Sequence, residues 1–171
     1  MSRIIATFFG VGLLRPASGT WGSAVAVLLG LALYRYGGFW ALVVATVAVT
    51  ALGFWACRAE LADRPGADPS EIVIDEVAGQ GLALLFPAAA FHFAPMAQGL
   101  LEGGGWLPWP AWVVPFALFR LFDIWKPWLV GRADRRGDAP GVMLDDLWAG
   151  LFAGIATVVL GVLYHIPLIL P

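Results

Sequence analysis

Five stretches of this chain are apolar over about the length of a membrane helix, and no other feature narrows the fold as much. They run from about Trp21 to Tyr34, Phe39 to Ala56, Val77 to Met96, Pro108 to Phe122 and Leu147 to Leu170. A helix that crosses a bilayer needs about 20 predominantly apolar residues. The first run is short enough that it either crosses or enters partway. Composition agrees: 60% of the 171 residues are hydrophobic, 13% are charged and the mean hydropathy is +0.82. Soluble domains are closer to half apolar and a quarter charged. The expected fold is all-α, a polytopic membrane bundle of four to five transmembrane helices with an N-terminal interfacial helix, in a single domain over residues 1–171.

Smaller features refine this picture. The N-terminal MSRIIATFFGVGLLR has no small-x-small cleavage site before Arg15 and is expected to stay in the mature chain as a short interfacial helix. Gly37 and Gly38 in YRYGG allow a tight reversal between two antiparallel helices. Cys57 has no second cysteine to bridge to, and is expected to be a packing residue. The net charge of −2 and the scattered basic residues exclude nucleic acid as a partner.

With a cytoplasmic amino terminus, Arg3, Arg15, Arg58, Arg64, Arg120, Lys126, Arg132, Arg135 and Arg136 all fall at cytoplasmic helix ends, and only Arg35 falls outside. The opposite surface would carry Glu102, the Gly103 to Gly105 run and a belt of Trp106, Trp109 and Trp112. Pro87, Pro95, Pro110 and Pro115 interrupt the third and fourth spans, where kinks are expected. Gly150 and Gly154 form a small-residue stripe that allows close helix approach.

Alternating helix direction gathers four polar segments at one membrane face: TWGS at Thr20 to Ser23, SEIVIDE at Ser70 to Glu76, FRLFDIWKP at Phe119 to Pro127, and MLDD at Met143 to Asp146. On helical spacing Glu71 and Asp75 share one face, as do Glu76 and Gln80. Asp145 and Asp146 diverge by about a hundred degrees. Asp146 lies on the stripe of Gly150 and Gly154, and is expected to point inward with Asp75. Asp68, Pro69 and Glu71 also read as a capping box that opens the third span. Asp145 and Asp146 can likewise serve the positive end of a helix, although one acid suffices for that. Asp123 lies near a helix carboxyl end, where the dipole opposes it, so a metal or a salt bridge to Arg120 or Lys126 must compensate.

Several carboxylates without a usable thiolate or imidazole suit a hard cation such as Mg²⁺, which binds through a few carboxylates together with phosphate oxygens. His92 and His165 lie toward the far halves of their spans, away from this chemistry. Phosphoryl transfer is the expected reaction class, with Lys126 and nearby arginines stabilising oxygens that gain charge.

PASGTWGS, DPSEIVIDEVAGQ, FRLFDIWKPW, GRADRR and GVMLDDLWAG together resemble the phosphatidylglycerophosphatase A family, over about Arg15 to Gly154. The resemblance implies a Mg²⁺-dependent phosphatase of the bacterial inner membrane, with its active site facing the cytoplasm. It would convert phosphatidylglycerophosphate, among membrane lipids, to phosphatidylglycerol. It implies Glu71, Asp75, Glu76, Asp123, Asp134, Asp145 and Asp146 as active-site acids. Thr20, Ser23, Arg120, Lys126, Arg135 and Arg136 are the expected substrate contacts. Asp75, Asp123, Asp145 and Asp146 are the expected metal ligands, with Glu76 or Glu71 accepting a proton from water or, alternatively, an aspartate taking the phosphoryl group. Two rival readings are a CDP-alcohol-type phosphatidyl transferase, which needs a single DGxxAR-type aspartate array, and a small ion channel or transporter, which needs ionisable groups along the whole span.

Overall fold

The structure, a computed structural model, describes residues 1–62, 69–94, 98–99, 101 and 105–169, with side chains described as far as residue 165. The Asp68 cap, Arg64 and Glu102 as orientation markers, Gly103, Gly104, Pro95 and the Met96 end of the third span lie outside the described residues. The described chain is helical: α1 (Ser2–Ala6), a 3₁₀ turn (Val11–Leu13), α2 (Ser18–Leu61), α3 (Ile74–Phe93), α4 (Pro110–Trp125), α5 (Leu129–Asp134) and α6 (Ala139–Ile169). Three helices, α2, α3 and α6 as far as His165, are long and apolar enough to cross a membrane.

Helix α2 is not one straight rod. Its dihedral angles break at Gly38, with φ +77° and ψ −176°, in the region that glycine adopts without steric cost. The chain folds back there, so that a Cβ placed on Gly30 would meet Leu42 at 3.5 Å. Tyr34 and Phe39 join Val27, Leu42 and Leu84 in one buried cluster. The expected reversal at YRYGG is therefore present, between arms of about 20 residues, or roughly 30 Å each.

The sequence misplaces two helix starts. Helix α3 begins at Ile74 rather than at Pro69, because tertiary hydrogen bonds take backbone groups that the first turn of a helix starting at Pro69 would use. The Val73 N–H donates to the Ala6 carbonyl at 2.9 Å, the Ser18 hydroxyl donates to the Ser70 carbonyl, and Arg15 donates to the Ser70 hydroxyl at 3.1 Å. Glu71 consequently sits in a turn and does not share a helix face with Asp75. Helix α6 begins at Ala139, well before Met143, and its cap is Asp138, whose Oδ1 accepts the Gly141 N–H at 2.8 Å. Hydropathy marks only the apolar part of a helix, whereas this helix starts before its Asp145 and Asp146 pair. Pro110 likewise opens α4 instead of interrupting it, as its fixed φ favours.

Three buried clusters hold the bundle. The first joins Ala6 and the end of α2, including Cys57, to Ile74, Ala78 and Met143. The second ties the two arms of α2 to α3 and α4 at the far end, where Phe39 stacks on His92 at 5.1 Å and Tyr36 meets Trp106 edge-on. The third packs Phe119 and Val130 against Ala83, Ala149 and Ala153. Helices α3 and α6 cross in near-backbone contact: a Cβ on Gly150 would lie 2.2 Å from the Gly79 carbonyl oxygen, and one on Gly154 would lie 2.1 Å from Phe86. The expected close approach of the small-residue stripe is realised here.

Candidate active site

The crossing of α3 and α6 sets the acid geometry. Asp75 and Glu76 occupy the first turn of α3, whose positive end favours carboxylates. Asp145 and Asp146 lie in the second turn of α6, past its cap, so the capping explanation for them is lost. All three aspartates are buried, at 7% exposure for Asp75, 6% for Asp145 and 4% for Asp146. Carboxylates are almost never this buried unless they are paired or hold a cation.

Asp75, Glu76 and Asp146 converge, each offering a carboxylate oxygen, and the three oxygens lie within 4.8 Å of one another. Opposite ligands on a Mg²⁺-sized ion lie roughly 4 Å apart, so small side-chain adjustments close such a set around a cation. The donor chemistry is also suitable, being all oxygen. Glu76 Oε2 and Asp146 Oδ1 are buried and meet no protein hydrogen-bond donor, which is the condition that a bound ion or its waters would relieve. The residues present therefore fit a hard divalent cation.

The remaining acids are held by cations of the chain itself. Asp123 pairs with Arg120 at 2.7 Å, which compensates for its place at the end of α4, and it also interacts with Asp146. Asp145 accepts from Lys126 Nζ at 3.0 Å, and Asp134 accepts from the same ammonium. Burial opposes the charge on Lys126, but its hydrogen bonds to Asp134 and Asp145 outweigh burial and raise its pKa above the usual lysine range. Lys126 reaches both acids because it ends α4 in the left-handed conformation, directing the chain into α5. Glu71 lies apart from the converging three, with its carboxylate 3.5 Å from Arg3.

Of the other expected contacts, Ser23 is fully buried and donates to the Gly19 carbonyl at 2.8 Å, and Thr20 is half-buried one turn before it. Arg135 is exposed, and Arg136 is bound to Asp138 at 2.9 Å. The hydrogen bond from Arg136 lowers the Asp138 pKa below the usual carboxylate range.

Two residues at this site were given no role by sequence reasoning. Gly19 lets α2 approach so closely that a Cβ there would lie 2.1 Å from Glu76 Oε1 and 3.1 Å from Arg120. Its signal was the glycine in GTWGS at the start of a span. Gln80 shares the Glu76 face and is fully buried, with neither amide atom met by a protein partner. A neutral residue in an apolar run gives no charge signal to find.

The sequence profile of the family described as phosphatidylglycerophosphatase A matches residues 4–161. The phosphatidylglycerophosphatase A of Haemophilus influenzae is 33% identical over 154 residues, covering 90% of this chain and 84% of that protein. That of Escherichia coli is 29% identical over 167 residues, covering 96% and 82%. A Bacteroides thetaiotaomicron protein provisionally named a phosphatidylinositol-3-phosphatase is 35% identical over 156 residues, covering 89% and 88%. No solved structure matches the chain.

Proposed function

Since the chain belongs to the phosphatidylglycerophosphatase A family and is a lipid phosphatase, we propose that it hydrolyses the terminal phosphomonoester of phosphatidylglycerophosphate with Mg²⁺, at the cytoplasmic face of the bacterial inner membrane. The observation that carries this reading is the convergence of Asp75, Glu76 and Asp146 from two helices, with buried oxygens of Glu76 and Asp146 unmet. Asp75 and Asp146 would hold the cation with Glu76 as a third carboxylate, and Asp123 and Asp145 stand beside them. A bound Mg²⁺ neutralises phosphate charge and makes water more acidic.

The chain's own residues supply the remaining chemistry. Glu76 accepts the proton of the attacking water as the water oxygen bonds to phosphorus, and the same proton passes to the lipid oxygen that leaves with the electron pair of the broken ester P–O bond. Arg120 and Lys126 border the acids and stabilise phosphoryl oxygens as charge shifts onto them. Lys126 keeps one of its three N–H donors beyond the two used by Asp134 and Asp145. Thr20, at the start of α2, lies at the depth where a headgroup arrives, while the acyl tails stay in lipid.

Topology supports the placement. Arg3, Arg15, Arg58, Arg120, Lys126, Arg132, Arg135 and Arg136 belong to segments at the acid end, and Arg35 lies at the reversal of α2. Counted as two arms of α2 with α3, α4 and α6, the described helices give the five passes of this proposal, α4 being the shortest at 16 residues. The acids are divided among separate helices, unlike a transferase array. Among the described residues, the far half of the bundle offers only Arg35, His92 and His165 as an ion path.

The name of the Bacteroides relative favours a second reading, in which the lipid phosphate is carried on inositol. Purified protein incubated with either lipid, with Mg²⁺ or with chelator, decides between them. Release from phosphatidylglycerophosphate alone, abolished by chelator, is expected. Release from the inositol lipid alone, or undiminished release in chelator, refutes the proposal.

A further inference from the structure

We propose that Gln80 is a catalytic residue that holds the attacking water against Glu76 from the bilayer side, an inference that rests on the phosphatase reading above. Gln80 is fully buried, and neither Oε1 nor Nε2 has a protein hydrogen-bond partner. Most buried polar atoms in folded proteins are paired, and leaving one unpaired carries its full desolvation penalty. Two such atoms on one neutral side chain within an apolar helix are a persistent cost that packing does not explain.

The position of the amide is set by the helix stripes. Glu76, Gln80 and Leu84 are spaced four apart on α3, and both flanking residues face the first arm of α2: Glu76 lies against Gly19, and Leu84 against Gly30. Ser23 lies four residues beyond Gly19 on the same stripe and is also fully buried. Gln80 therefore lies on the α3 stripe that faces this arm of α2, one turn further along α3 than Glu76. The Ser23 hydroxyl spends its proton on the Gly19 carbonyl at 2.8 Å, so to water in this layer it offers only acceptor lone pairs.

This arrangement makes a polar floor beneath the acid layer. The Gln80 carbonyl oxygen accepts one proton of a water whose other proton points to Glu76 Oε2, itself buried and unmet. The Gln80 NH₂ group donates to a second water on the α2 side. An amide suits the task because it orients water without a charge of its own, and so does not compete with the carboxylates for a cation.

Full-length enzyme in detergent, assayed on phosphatidylglycerophosphate in mixed micelles, tests the proposal with Gln80→Leu and with the unbranched Gln80→Met. Both variants are expected to melt at or above the wild-type temperature, since each removes two unmatched polar atoms. The melting-temperature rise on adding Mg²⁺ should be unchanged. The kcat should fall by about 100-fold, within the usual range for a group that manages the proton-transfer water, with KM within about threefold. A kcat within threefold of wild type in whichever variant folds overturns the proposal. So does a loss of activity that follows a lowered melting temperature in both variants. Wild-type protein that releases no phosphate from the lipid instead refutes the underlying phosphatase reading, and the role of Gln80 falls with it.

Discussion

Gly79 and Gly150 touch through their backbones: a Cβ on Gly150 would stand 2.2 Å from the Gly79 carbonyl oxygen, and one on Gly79 would stand 2.5 Å from the Asp146 carbonyl oxygen. This contact brings the first turn of α3 beside the second turn of α6, and hence Asp75 and Glu76 beside Asp146. Gly150→Ala should cost about 1–3 kcal/mol through overpacking, because backbone cannot yield as a flexible side chain does. It should also spread the carboxylates. A lowered melting temperature together with a smaller Mg²⁺-induced stabilisation is expected; an unchanged value of both would refute the role of the crossing.

Asp146→Asn and Asp75→Asn should each reduce phosphate release by about 100-fold or more, as expected when a preorganised charge is removed from a reacting centre. Each exchange also relieves repulsion among buried acids, since Asp146 feels the charges of Asp123, Asp75 and Asp145. Both variants should therefore melt no lower than wild type in chelator while losing the stabilisation by Mg²⁺. Calorimetric titration with Mg²⁺ measures this loss directly.

Lys126 joins Asp145 and Asp134, and Asp145 is nearly buried. Lys126→Met should destabilise by about 1–3 kcal/mol, less than a fully buried pair because the lysine is partly solvated. The pKa of Lys126 is raised, so its contribution is complete below the unfolded lysine value and is lost only as pH rises through the still higher folded value. The melting-temperature gap between wild type and Lys126→Met should therefore stay constant from about pH 8 to pH 10. A gap that closes over that window would contradict the two hydrogen bonds.

Glu71 separates capping from catalysis. Its carboxylate meets Arg3 at 3.5 Å and takes no part in the converging set. An exposed pair of this kind is typically worth no more than about 1 kcal/mol. Glu71→Gln should keep phosphate release within about threefold of wild type, whereas Glu76→Gln should lose about 100-fold. Equal losses in the two variants, measured at saturating lipid, would place Glu71 in the reaction.

Much of the architecture was legible because the bilayer imposes it. Apolar runs marked the helices, paired glycines marked the reversal at Gly38, and the Gly150 and Gly154 stripe marked a close approach. Helix starts were less legible. Asp68, Pro69 and Glu71 form a plausible local cap, but the Ala6 carbonyl takes the Val73 N–H and Ser18 takes the Ser70 carbonyl, so α3 begins later. Those partners are distant in sequence, and no local pattern announces them.

The site divides along the same line. Sequence by itself led to the expectation that acids of three segments gather at one end of the bundle, because charge is expelled from lipid and helix direction alternates. Only the tertiary structure decided which of these acids form ion pairs and which do not. Arg120 takes Asp123, Lys126 takes Asp145 and Asp134, and Arg3 takes Glu71, while Asp75, Glu76 and Asp146 converge. That partition depends on distances between helices, which spacing along one chain does not encode.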